Sequence, residues 1–116
     1  MSIEELEKRI EEIKTQLVAI GEMRPGSLSE QYNVCGNPTC RCKDPKNPQR
    51  HGPYYQLSYV HRGKHTTQFI RRPFLRRVRT EIANYKRFRK MSDEWVHCAL
   101  QLAKLKLKAA AQIQNK

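Results

Sequence analysis

The stretch CGNPTCRCKDPKNPQRHG, residues 35–52, decides how the rest of the chain is interpreted, because it holds three of the four cysteines. Cys35, Cys40, Cys42 and His51 follow the spacing C-x4-C-x-C-x8-H. Three thiolates and one imidazole suit tetrahedral zinc, and four protein ligands leave no open position on the metal. Three prolines exclude a helix here, so the spacing predicts an irregular loop ordered by a structural Zn²⁺ ion.

The fourth ligand is the least determined part of this site. His51 is the nearest candidate, and Cys98, His61 and His65 are the alternatives. We expect Cys98 to serve as a small apolar residue on a helix. The competing interpretation of the whole stretch is a flexible loop with three free thiols.

The chain has 116 residues, which indicates one domain with a modest core. Its N-terminus lacks the basic and apolar segments of a secretory signal, and no apolar stretch approaches the roughly 20 residues that cross a bilayer. We therefore expect a cytoplasmic protein with no membrane partner. In that reducing compartment, clustered cysteines favour metal binding over disulfides.

Residues 1–24 are predicted to form a heptad helix. Ser2 and Glu5 make a capping box, and Gly21 is expected to end the helix. Apolar residues recur at alternating spacings of three and four, which is the pattern of helix–helix packing. This helix either packs within its own chain or forms a homodimer, and both remain open. The apolar positions are Ile3, Leu6, Ile10, Ile13, Leu17 and Ile20.

Residues 25–72 are predicted to form a metal-stapled β region. PYYQLSYV (53–60) and HTTQFI (65–70) alternate as strands do, and HRGK (61–64) supplies the turn between them. SLSEQYNV (27–34) can add a third strand, and a lone hairpin needs such support. The tyrosines of 53–60 fit either half-buried sheet packing, which we favour, or base stacking.

Residues 73–116 are predicted to be helical, beginning near Pro73. Leu75, Val78 and Ile82 step by three and four, and Ser92 leaves open whether there is one long helix or a helix pair. The predicted fold class is therefore α+β. An N-terminal amphipathic helix precedes a small zinc-stapled antiparallel hairpin or three-stranded sheet, and a long C-terminal helix or helix pair follows.

Charge is distributed unevenly along the chain. Residues 61–90 carry eleven lysines and arginines against the single acid Glu81, whereas residues 1–30 carry seven glutamates against four bases. Because eight of the eleven are arginines, which bind phosphate in a bidentate fashion, this pattern predicts a nucleic-acid partner. The candidate contact residues are Arg62, Lys64, His65, Arg71, Arg72, Arg76, Arg79, Lys86, Arg87 and Lys90.

Four motifs carry a family resemblance: PGSLSEQY (25–32), CGNPTCRC (35–42), HGPYYQLSYVHRGKHT (51–66) and NYKRFRKM (84–91). Together they resemble an uncharacterised family of small bacterial and archaeal proteins, a domain of unknown function often found beside transposase genes. The resemblance implies a mobile-element or regulatory setting and brings no established activity. The hairpin followed by a helix is also similar to the arm-type DNA-binding domains of tyrosine integrases, which implies DNA contact through a small sheet.

The predicted function is that of a zinc-stabilised protein that binds double-stranded DNA, as a regulator or accessory factor of a mobile element. Two alternatives stay open: an RNA or single-strand binder, and an adaptor or inhibitor of a transposase or other nucleic-acid enzyme. We predict no enzymatic activity. The sequence has no carboxylate pair in an apolar setting, no activated nucleophile and no glycine-rich phosphate loop.

Overall fold

The computed structural model describes residues 1–114. In chain order they form helix α1 (Ile3–Val18), strands β1 (Ser27–Asn33), β2 (His51–His61) and β3 (Lys64–Ile70), and helix α2 (Leu75–Gln114), with short 3-10 helices at Arg41–Lys43 and Arg72–Phe74. This is the predicted α+β fold in its three-stranded form. No helix in this part of the chain is long and apolar enough to cross a membrane.

The chain divides into two compact units. The first, which we call the helical unit, comprises Met1–Met23 and α2 from Ala83 onward. The second, the sheet unit, comprises Arg24–Ile82 and includes the first turns of α2.

The helical unit is formed by burial of the predicted apolar seam. Ser2 caps α1, its Oγ accepting a hydrogen bond from the Glu5 backbone N–H at 3.2 Å. Leu6 and Ile10 pack with Cys98 of α2. The helix ends at Val18 rather than at Gly21, because the N–H groups of Ala19 and Ile20 bond carbonyls only three residues back and tighten the last turn. The seam is thus covered by α2 of the same chain.

Helix α2 is continuous from Leu75 to Gln114 and passes Ser92 without a break. Neither glycine nor proline occurs in this span, and a serine is tolerated inside a helix far better than either. As far as residue 114, the C-terminal region is therefore one long helix rather than a helix pair, and residues 115–116 of the predicted helical region lie outside the described residues.

The sheet unit contains an antiparallel sheet of order β1-β2-β3. Alternation along β2 places Tyr55 and Leu57 on its inner face, where Ile70 of β3 joins them. Leu75 and Val78, from the first turns of α2, pack against this face. The first turns of α2 cover the inner face, and the resulting core fixes the positions of the strands. The β1–β2 connection, residues 34–50, and the hairpin turn lie at the ends of these strands.

Candidate metal centre and basic surface

The four predicted metal ligands lie at one end of the β1–β2 ladder. Cys35 comes two residues after β1, Cys40 and Cys42 flank the start of the 3-10 helix Arg41–Lys43, and His51 is the first residue of β2. The pair Asn33–His51 ends the β1–β2 register. The ligands therefore gather where a long irregular connection, residues 34–50, leaves and rejoins the sheet.

The four donor atoms lie within 4.8 Å of one another. Cys35 Sγ and Cys42 Sγ are 3.6 Å apart, and Cys40 Sγ and His51 Nε2 are 3.2 Å apart. Bond lengths in a tetrahedral zinc site imply separations of roughly 3.8 Å between two sulfurs and roughly 3.6 Å between sulfur and nitrogen. All four cysteines are free. The cluster thus has the donor set and the compactness that a zinc ion requires.

The loop holds this arrangement with short-range hydrogen bonds. The Cys35 N–H donates to Cys42 Sγ at 3.4 Å, and the Cys40 N–H donates to the Asn37 carbonyl at 3.2 Å. Asn37 Oδ1 accepts hydrogen bonds from both the N–H and the hydroxyl of Thr39. The asparagine therefore folds the segment between the first two cysteines into a turn that returns the chain toward the cluster.

The electrostatics of the cluster favour a thiolate. Hydrogen bonding to the backbone of Asn37 and to the side chains of His51 and Cys40 lowers the pKa of Cys35 to about 6. Hydrogen bonding to Cys35 and Cys40 in turn raises the pKa of His51. Burial raises the pKa of Cys42. The lowered pKa of Cys35 favours the thiolate, which is the form of cysteine that ligates a metal.

The competing ligand candidates lie elsewhere. Cys98 is buried in the helical unit against Leu6 and Ile10, as expected for a cysteine that serves as a small apolar residue. His61 ends β2, and His65 pairs with Val60 near the hairpin turn. Neither histidine belongs to the cluster of donors around Cys35.

The candidate basic residues of the sheet unit are all exposed. Arg62 forms the hairpin turn with Gly63, and Lys64 and His65 begin β3. The others follow β3 directly or lie on the first turns of α2: Arg71, Arg72, Arg76 and Arg79. Arg79 also lies over the ring of Tyr55, with 5.8 Å between the guanidinium carbon and the ring centroid. In the helical unit, Lys86, Arg87 and Lys90 are exposed on α2.

One buried carboxylate lies near two other arginines of the sheet unit. Arg24 and Arg77 approach the buried Glu81 carboxylate, at 3.5 Å and 4.0 Å respectively. Within residues 1–114, Arg71 and Arg72 take part in none of the ion pairs, and the same holds for Arg76. The arginines that follow β3 thus present their charge to solvent.

Base stacking by a tyrosine of 53–60 was an open alternative, but sequence reasoning missed the aromatic partner of Tyr54 on the opposite, uncovered face of the sheet. Tyr54 and Phe69 lie on that face, 6.5 Å apart between ring centroids and nearly perpendicular, and both are exposed. The signal was present in the doublets Tyr54–Tyr55 and Phe69–Ile70. Neighbouring residues of a strand point to opposite faces, so only one member of each doublet can enter the core.

A family model of a domain of unknown function, DUF6788, matches residues 3–80. The chain belongs to the DUF6788 family. This confirms the resemblance to a domain of unknown function, and it brings no activity with it. The match includes the four clustered donors and the basic residues as far as Arg79, whereas Lys86, Arg87 and Lys90 lie beyond it. No curated protein and no solved structure matches the chain.

Proposed function

We propose that this protein is a zinc-stabilised, cytoplasmic nucleic-acid-binding protein whose favoured target is double-stranded DNA. It binds without catalysing a reaction, and it acts as a regulator or accessory factor of a mobile element. Zn²⁺ held by Cys35, Cys40, Cys42 and His51 orders the β1–β2 connection. Basic residues that follow β3 and form the hairpin tip bind phosphates.

One observation carries the proposal: at the end of β3 and the start of α2, the exposed Arg71, Arg72 and Arg76 take part in none of the ion pairs found within residues 1–114. Exposed, unneutralised guanidinium groups repel one another, and a polyanion removes that repulsion. Arginine also binds phosphate through two parallel hydrogen bonds, which fixes orientation as well as charge. Arg71, Arg72 and Arg76 are the residues on which this argument depends.

The hairpin tip supports the same function. Arg62 has φ +50° and Gly63 has φ +77°, as the two central residues of a type I′ turn require. Asparagine or glycine adopts this conformation readily, whereas a left-handed arginine costs about 1 kcal/mol. Arginine at this position therefore lowers stability and places a positive charge on the exposed hairpin turn, and a role in phosphate binding would compensate for that cost.

Fluorescence anisotropy with a labelled blunt DNA duplex across a salt series tests the proposal. We expect the affinity to fall steeply with salt, and the slope of log K against log salt to flatten by about 0.9 in Arg76→Ala. Arg76→Lys retains the charge and should retain the slope. Lys108→Ala removes an exposed charge that lies outside the proposed contacts and should leave the slope unchanged.

Arg62→Asn separates binding from stability. Asparagine suits the left-handed turn, so this variant should unfold at a higher temperature while it binds DNA more weakly.

Absence of binding to any DNA or RNA at about 50 mM salt contradicts the proposed function, because phosphate contacts are strongest at low salt. An adaptor that binds a nucleic-acid enzyme would give that result.

An RNA or single-strand binder is the second candidate, and the exposed Tyr54 and Phe69 favour it. Exposed aromatic rings beside a basic groove are the usual means by which proteins bind unpaired bases. Competition between duplex DNA, single-stranded DNA and structured RNA for the labelled duplex distinguishes the two candidates.

A further inference from the structure

The uncovered face of the sheet differs in composition from the rest of the sheet unit. We define this open face by the residues that share the parity of Gln56 in the strand register: Ser27, Ser29, Gln31, Tyr54, Gln56, Ser58, Val60, His65, Thr67 and Phe69. None of them is a lysine, arginine, aspartate or glutamate. In a unit so rich in basic residues, a face that lacks lysine, arginine and carboxylates and is rich in hydroxyl, amide and aromatic groups is suited to uncharged parts of a ligand.

Two aromatic residues mark one end of the open face. Tyr54 is 42% exposed and Phe69 is 62% exposed. They lie on a diagonal of the β2–β3 pair, because Phe69 is opposite Gln56, two residues after Tyr54. Their edge-to-face contact, at an interplanar angle of 73°, leaves much of both rings open to solvent. A planar ligand can therefore stack on this pair without displacing core residues.

Basic groups adjoin the aromatic pair. A shallow cavity of about 310 Å³ is lined by Pro53, Tyr54 and Phe69 on its apolar side and by Arg71 and Arg72 on its basic side. This volume is at the low end of the range for small-molecule sites and suits one nucleotide rather than a large ligand. A neighbouring cavity of about 360 Å³ also contains Phe69 and Arg71, but there Arg24 and Arg77 are engaged with the Glu81 carboxylate that lines the same cavity.

We propose that Tyr54, Phe69, Arg71 and Arg72 form a binding site for one unpaired nucleotide of a nucleic-acid strand. The base stacks on the aromatic pair, and the adjoining phosphate is bound by the two arginines. This inference rests on the proposed function, and it adds that the protein distinguishes strands with unpaired bases from a fully paired duplex.

The test compares a blunt DNA duplex with the same duplex carrying a three-nucleotide overhang, in both DNA and RNA versions. Anisotropy is measured with the zinc-loaded protein and its Phe69→Ala variant. Since stacking of one base is worth about 1–3 kcal/mol, we expect a roughly 5- to 150-fold loss of affinity for the overhang substrate. Affinity for the blunt duplex should stay unchanged, and Phe69→Trp should restore binding to the overhang.

Val60→Ala is the matched control. Val60 lies on the same open face near the hairpin turn and is 61% exposed, almost the same fraction as Phe69. Its substitution should change neither affinity. Because both positions are exposed, the variants are expected to fold, and zinc content with circular dichroism verifies this.

The outcomes separate the two proposals. If Phe69→Ala weakens blunt and overhang binding equally, or weakens neither, the unpaired-nucleotide site is wrong while nucleic-acid binding stands. If no substrate binds, the proposed function is wrong and the site with it. A selective loss on overhangs supports the site, and a larger loss with the RNA or the DNA version identifies which sugar the bound strand carries.

Discussion

The sheet unit and the helical unit achieve order by different means. In the helical unit, apolar residues recur every three or four positions, and Leu6 and Ile13 are fully buried. In the sheet unit, a small core under one sheet face leaves residues 34–50 with only one 3-10 turn of regular structure. Loops of this length in small domains need a function or an external constraint. We therefore expect apolar packing to suffice for the helical unit, and the sheet unit to depend on the proposed zinc ion.

Removal of the proposed zinc ion gives the largest expected effect. Structural zinc contributes on the order of 10 kcal/mol to the folding of small metal-binding domains. We expect chelation, or Cys40→Ser, to remove amide protection across β1 and β2 and to abolish nucleic-acid binding. The helical unit should retain its protection. Hydrogen exchange resolved along the chain measures both units in one experiment.

Cys98→Ser is the matched control, because it also removes a thiol but acts in the helical unit. It should leave one zinc ion per chain and an intact sheet. Trp95, the only tryptophan, packs beside Cys98 and reports on the helical unit by fluorescence. A metal-free protein that keeps full protection in β1 and β2 would contradict the dependence of the sheet unit on zinc.

Shortening one buried side chain of α1 tests whether apolar packing stabilises the helical unit. Leu6→Ala removes a fully buried side chain and should destabilise the helical unit by about 2–5 kcal/mol. Denaturant unfolding followed by Trp95 fluorescence measures this loss, with zinc content unchanged. Val18→Ala, at a position that is 85% exposed, should shift the midpoint little. An equal shift in both variants would mean that the seam is not the source of stability.

Local sequence patterns, which span a single helical turn or strand, predicted most of the fold. The capping box, the seam of α1 and the alternation of β2 each depend on neighbours within a turn or a strand, so the sequence alone specifies them. The end of α1 was misplaced, because Gly21 is a strong stop signal but the helix closes earlier through local hydrogen bonds at Ala19 and Ile20. The sequence left open whether α2 continues past Ser92, because the only evidence for continuity is the absence of glycine and proline, and no residue there positively indicates it.

The candidate site was predictable only in part. The spacing of Cys35, Cys40, Cys42 and His51 predicted that they cluster, because three cysteines and a histidine in a short loop indicate a metal site. The aromatic pair was not predicted, because Tyr54 and Phe69 meet only through the register of β2 and β3. Long-range register depends on turn geometry and on the core, and periodicity within one strand does not reveal it.

Two glycines, Gly36 and Gly52, differ in the space around them and test how tightly the β1–β2 connection and the start of β2 are packed. Gly52 has φ +135°, and a Cβ there would lie 2.7 Å from the carbonyl oxygen of Gln31 on the paired strand. Gly52→Ala should therefore destabilise the sheet unit by about 1–3 kcal/mol and weaken zinc retention. In Gly36→Ala the new Cβ meets nothing within 4 Å, so it should be nearly neutral. Thermal unfolding monitored by tyrosine fluorescence compares the two variants.

The smallest expected effect belongs to the ion pair of the helical unit. Arg9 donates hydrogen bonds to Glu94 at 2.8 Å and 2.7 Å, and this partner lowers the pKa of Glu94. A carboxyl whose pKa is lower in the folded state adds stability above its unfolded pKa and loses it as the pH falls through the folded value. Glu94→Gln should therefore lower the unfolding midpoint modestly at pH 7, by less than the glycine change.

Because protonated glutamate resembles glutamine, the difference between the wild type and Glu94→Gln should shrink as the pH falls below the ordinary glutamate pKa of about 4.3, and it should vanish below the lowered pKa of Glu94. Trp95 fluorescence is the appropriate readout, since acid also protonates the thiolates and releases metal from the sheet unit, where there is no tryptophan. Lys106→Gln controls for exposed pairs, because Lys106 and its partner Glu7 are both more than half exposed. A difference between wild type and Glu94→Gln that persists unchanged into acid would mean that packing of the side chain, rather than its charge, stabilises the two helices.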